Sequence, residues 1–80
     1  MWYVYILLCR DGTYYTGASN DVDQRFIDHK NGKGGAYTRS HKPVKLVYKE
    51  KYADKSSALR RESQIKKLTK AKKERLIKND

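Results

Sequence analysis

Trp2-Tyr3-Val4-Tyr5-Ile6-Leu7-Leu8-Cys9-Arg10-Asp11-Gly12-Thr13-Tyr14-Tyr15-Thr16-Gly17 decides how this chain folds. Residues 2–9 are apolar at both parities. Trp2, Val4, Ile6 and Leu8 face one way; Tyr3, Tyr5, Leu7 and Cys9 face the other. A strand apolar on both faces is covered on both sides and belongs in the centre of a sheet. Arg10-Asp11-Gly12 signals a hairpin, and Thr13–Gly17 reads as the returning strand. The length of the turn sets the register. A two-residue Asp11-Gly12 turn pairs residues whose numbers sum to 23 and sends Tyr5 and Tyr15 to opposite faces. A type I turn at Arg10-Asp11 with Gly12 as a left-handed G1 bulge gives a sum of 22. Cys9 then pairs with Thr13, and Tyr3, Tyr5 and Tyr15 share one face. The three-residue turn is the arrangement predicted here.

Working outward, residues 19–30 read as a helix capped by Ser19 or Asn20 and stopped by Asn31-Gly32. Its Val22, Arg25, Phe26 and His29 recur every three or four residues and so lie on one face. Residues 32–42 read as a basic, glycine-containing loop. Val44–Tyr52 follows as an edge strand, with Val44, Leu46 and Tyr48 alternating against Lys45, Val47 and Lys49. Asp54 is positioned to cap a helix over 55–68, and Thr69 a short basic helix over 70–78. Eighty residues make a single domain over 1–80. The expected fold is a small α/β (α+β) unit, a three-stranded antiparallel sheet with the first strand central and about three helices.

The charge narrows the function. Lys and Arg number 19 against 9 acidic residues, net +10. Residues 55–80 alone hold 10 basic and 3 acidic groups, net +7. Such a field attracts polyanions, of which nucleic acid is the commonest large one. The apolar run 2–9 is too short to span a bilayer, and one cysteine excludes a disulfide framework. A cytoplasmic protein without a membrane role is expected. Zinc-ligand spacing, a serine-nucleophile elbow and a P-loop are all missing.

Two constellations carry chemistry. Arg25 and His29, one turn apart beside a buried stripe, could grip a phosphate and move a proton; a snorkelling Arg and a surface His would look the same in sequence. Glu62 falls inside the stripe Ala58, Leu59, Ile65, Leu68. A carboxylate there needs a partner, either Arg25, Arg61 or Lys66, or a bound cation such as Mg²⁺.

Tyr3-Val4-Tyr5, then Tyr15-Thr16-Gly17, Arg25, His29 and Glu62, in that order, resemble the GIY-YIG nuclease family across residues 2–78. YVYILLC, YYTGAS, GAYTR and ALRRE-x-x-IKKL are similar to its short stand-alone bacterial members. More distant relatives are homing endonucleases and the N-terminal domain of the excision-repair incision nuclease. The resemblance implies hydrolysis of a DNA phosphodiester with a single divalent ion, Mg²⁺ or Mn²⁺, on Glu62. It implies that Arg25 stabilises the phosphate, that Tyr5, Tyr15 and His29 position and activate water, and that Gly17 keeps the backbone close. Which of the three is the base stays open at this level. Lys33, Tyr37, Thr38, Arg39, Arg60, Arg61, Lys66 and Lys67 are read as backbone contacts to nucleic acid, DNA before RNA. Tyr14 and Tyr48 are read as packing residues with hydroxyls in water. Thr16 replaces the motif's isoleucine, Ala18 stands where members often carry Lys, and residues 69–75 lack the Asn many carry. The alternative is a basic nucleic-acid-binding protein with weak or no catalysis. A protein partner that supplies specificity is a third reading.

Overall fold

A computed structural model describes residues 1–79. The elements are β1 (Trp2–Cys9), β2 (Tyr14–Ser19), α1 (Val22–Lys30), α2 (Ala36–Ser40), β3 (Pro43–Tyr52), α3 (Lys55–Lys66) and α4 (Lys70–Lys78). The three strands form one antiparallel sheet in the order β2-β1-β3. The central position of β1 follows from its two apolar faces. Val4 and Ile6 pack on one side with Ala58 and Ile65 of α3, joined by Leu76 and Ile77 of α4. Tyr5 and Leu7 pack on the other side with Val22 and Phe26 of α1.

The hairpin has the three-residue turn. Leu7 pairs with Tyr15 and Tyr5 with Gly17. The Cys9 amide donates to the Thr13 carbonyl at 2.8 Å and the Gly12 amide to the Cys9 carbonyl at 3.0 Å. Gly12 has φ +85°, the left-handed conformation a G1 bulge demands and a β-carbon resists. The Asp11 carboxylate braces the turn by accepting from the Thr13 amide and hydroxyl.

Several details depart from the sequence reading. The cap of α1 is Asp21, whose carboxylate accepts from the Gln24 amide at 3.1 Å. Ser19 ends β2 instead, and its hydroxyl accepts from the Asp21 amide at 2.9 Å. The segment read as loop contains α2, a fourth helix, begun at Gly35. In β3, Ile6 pairs with Tyr48 and Leu7 with Leu46, so Val47 is extra at a bulge. Leu46 therefore joins the Tyr5 face and Tyr48 the opposite face, where plain alternation would keep them together. Leu59 is 43% exposed and lies outside the buried stripe of α3. Asp54 and Thr69 cap α3 and α4 as the sequence suggests.

Candidate active site

Tyr5 organises the site. Its cross-strand partner Gly17 has no side chain, so the phenol crosses β2 at that point. A β-carbon on residue 17 would lie 2.5 Å from Tyr5 Oη and 2.6 Å from Cζ. On the other face of the sheet α3 packs against both β1 and β2. From that layer the Glu62 charge acts on the Tyr5 hydroxyl. The Arg25 guanidinium reaches the same hydroxyl from α1.

Burial pushes the Tyr5 pKa up to about 12, helped by Tyr15 and Glu62 and opposed by Arg25. Tyr5 is thus a phenol, a hydrogen-bond donor. Its oxygen lies 3.0 Å from His29 Nε2. His29 is completely buried, under the backbone of Gly34. Its Nδ1 lies 2.8 Å from Thr38 Oγ1, and that hydroxyl donates to the Gly35 carbonyl at 3.4 Å. One assignment satisfies every group: Nδ1 carries the proton and donates to Thr38, leaving the Nε2 lone pair to accept from Tyr5. Burial, then the Arg25 charge, holds the His29 pKa below its usual range, with Asp28 opposing. The imidazole is a neutral base.

Tyr15 packs on this pair, its ring 4.7 Å from His29 and 6.4 Å from Tyr5. Tyr37 continues the array outward, 5.9 Å from Tyr15 and stacked at 4.1 Å on His41. Arg25 forms an ion pair with Asp28, at 3.7 Å and partly exposed, a contact that yields easily to a phosphate. Glu62 is mostly buried and pairs with Lys66 at 3.3 Å, one of the partners the sequence offers it.

Tyr5, Tyr15, His29 and Gly17 are therefore brought together, and the charges of Arg25 and Glu62 act on the Tyr5 hydroxyl. Lys33, Tyr37, Arg39, Arg60 and Lys67 are exposed and free to meet a polyanion, and Lys66 is exposed beside Glu62. Two expected contacts are placed otherwise. Thr38 is 1% exposed and serves His29. Arg61 is bidentate to Glu50, its Nε and Nη2 at 3.0 and 3.1 Å. Tyr48 and Tyr52 also donate to Glu50, so the Tyr48 hydroxyl is not in water. Burial raises the Glu50 pKa, but these donors outweigh it and hold it low. The Tyr14 hydroxyl reaches Glu74 at 3.4 Å. The sequence reading missed Thr38 as the partner of His29. Its only signal was a small hydroxyl residue in the GAYTR stretch.

A model of the GIY-YIG catalytic domain matches residues 1–75, and the chain belongs to that family. Among its relatives are UPF0213 proteins. One from Staphylococcus saprophyticus is 48% identical over 94% of this chain and 92% of its own. One from Natronomonas pharaonis is 49% identical over 94% and 88%. The solution structure of a UPF0213 protein from Bacillus halodurans superposes with a TM-score of 0.64 at 44% identity, over all of this chain and 86% of that one.

Proposed function

We propose that the chain is a divalent-metal-dependent endonuclease that hydrolyses DNA phosphodiesters. The observation that carries this is the Tyr5 hydroxyl. It is bonded to a neutral buried imidazole and lies in the field of both Arg25 and Glu62. Glu62 suits a single Mg²⁺ or Mn²⁺. It is a mostly buried carboxylate whose charge acts on the Tyr5 hydroxyl, and it already attracts one cation, the Lys66 ammonium. A bound ion would supply charge stabilisation at the phosphate and the leaving oxygen.

The chain's own groups do the rest. Arg25 exchanges Asp28 for two phosphoryl oxygens and stabilises the charge that develops on them. Water gives its proton to Tyr5 Oη as the phenolic proton moves to His29 Nε2. Tyr5 thus acts as a conduit, and the base is His29, which water cannot reach directly. Tyr15 closes the aromatic wall around the imidazole. The exposed cations grip the backbone without reading sequence, so target choice falls to DNA shape or to a partner protein.

One observation favours a second reading. The one carboxylate offered to a metal, Glu62, is already paired with the Lys66 ammonium. A basic nucleic-acid-binding protein with little catalysis, for DNA or RNA, needs no metal there. Plasmid and branched DNA incubated with Mg²⁺ or Mn²⁺, then with EDTA, separate the two. The nuclease reading expects metal-dependent cleavage that is lost in Glu62→Ala and Arg25→Ala. Cleavage that survives either substitution overturns the assignment. Salt-sensitive binding without cleavage under every metal establishes the second reading.

A further inference from the structure

Between the end of α1 and α2 lies a cavity of about 300 Å³, lined by Lys30, Asn31, Gly32, Thr38, Arg39 and Lys42. Half of these residues are cationic and none is acidic. Elsewhere Arg25, Arg61 and Lys66 are paired with carboxylates. Lys30, Arg39 and Lys42 have no carboxylate partner among the described residues. Arg39 is held against the wall by its Nε–H, which donates to the Gly32 carbonyl at 3.3 Å. That bond leaves the outer nitrogens of its fork for a ligand. The carbonyl end of α1, which by itself disfavours an anion, is partly capped here. Its Ile27, Asp28 and His29 carbonyls are already taken by the amides of Asn31, Lys33 and Gly32. Three cations without a carboxylate partner border this concave, polar space, Lys30 with its ammonium 5.6 Å from the Phe26 ring, and they favour an anion there.

Its place in the fold gives it a use. Thr38 belongs both to the wall of the cavity and to the chain that runs through His29 to the Tyr5 hydroxyl. The cavity and the candidate catalytic group are separated by one imidazole and two hydrogen bonds. We infer that this cavity, lined by Lys30, Arg39 and Lys42, is a second phosphate subsite that holds a backbone phosphate of the substrate strand near the one that is cut. The inference rests on the proposed nuclease reading for its substrate but on the cavity alone for its ligand class. The same chemistry would also accept free inorganic phosphate, and the test distinguishes the two.

Binding of a labelled 12-nucleotide DNA strand is measured in EDTA over a range of NaCl concentrations, for the native chain and for Arg39→Gln, Lys42→Gln and the double variant. Lys55→Gln, whose ammonium lies over Trp2 in the other layer, is the control for a lost surface charge. Amide spectra confirm that each variant is folded. They also follow Gly32, Thr38 and Arg39 as DNA or inorganic phosphate is added. A subsite for the strand predicts that these three amides shift with DNA. It predicts a salt slope that falls by about 0.7 for each cavity cation removed, with affinity roughly five- to tenfold weaker near 0.1 M salt. Amides that move with inorganic phosphate while DNA leaves them and the slope unchanged would make the cavity a free-phosphate site and overturn the strand assignment. Variants indistinguishable from Lys55→Gln, with still amides in both titrations, would overturn the subsite altogether. The readout is binding alone, without cleavage. A chain that binds DNA through the cavity but never cuts it would defeat the nuclease reading and leave the subsite standing.

Discussion

The Tyr5 hydroxyl lies over the α-carbon of Gly17, in the volume a side chain at residue 17 would fill. The two residues are directly paired across β1 and β2. The central strand thus carries its phenol across the neighbouring strand.

Gly17→Ala removes that passage. The new methyl would meet Oη and Cζ of Tyr5 and also Tyr15 Cε2 at 3.1 Å. The phenol must swing away from His29. A loss of about 1–3 kcal/mol of stability is expected from overpacking, measured by urea unfolding. DNA cleavage should fall further than the stability loss explains, because the Tyr5–His29 bond is broken in molecules that remain folded.

His29 makes stability depend on pH. Its folded pKa lies below the unfolded value, so as pH falls the unfolded chain takes up the proton first. The stability of the native chain should be full above about pH 6.5 and decline as pH drops from there through the lower folded pKa. Thermal melts between about pH 8 and 5 test this. His29→Gln, less stable at neutral pH, should lose most of that dependence; an unchanged slope would show that His29 is not its source.

Thr16 has a buried hydroxyl without a partner among the described residues, on the strand face opposite Tyr5 and Tyr15. An unpaired buried hydroxyl costs about 1–3 kcal/mol. Thr16→Val keeps the shape and removes the hydroxyl, so it should stabilise the fold by about 1 kcal/mol in denaturant unfolding. Cleavage should be unaffected.

Glu50 accepts from Tyr48, Tyr52 and Arg61 and so joins β3 to α3 one residue before Glu62. Glu50→Ala strands three donors in a half-buried place. A loss of about 1–3 kcal/mol is expected. A double-mutant cycle with Arg61→Ala should give a coupling of about 1 kcal/mol or more, against almost none for an Arg61 that serves only to hold DNA.

What the sequence disclosed and what it hid have physical reasons. Strand parity and turn chemistry are local, so the central β1, the three-residue turn and the Tyr5–Tyr15 face were legible. Arg25, His29 and Glu62 stood out because polar groups on apolar stripes are rare. The Val47 bulge was hidden, since nothing in β3 alone says that one residue will drop out of register. The bond between Thr38 and His29 was hidden too. It depends on how α2 folds back over α1, and a five-residue helix carries almost no periodic signal. Arg61 was misplaced because a sequence cannot say which of several cations a distant carboxylate will choose.

The Arg10-Asp11-Gly12 turn has a consequence for how this chain can vary. Many side chains in the molecule could be exchanged for similar ones, but the number of residues between Tyr5 and Tyr15 could not change by one. A single deletion or insertion in the turn would leave the hairpin intact as a hairpin while shifting every residue of β2 to the opposite surface. Tyr15 and Tyr14 would trade places, and Gly17 would no longer lie beneath Tyr5. Substitutions at the turn would be graded in effect, whereas changes in its length would be all or nothing. The chain is thus a counting device as well as a chemical one.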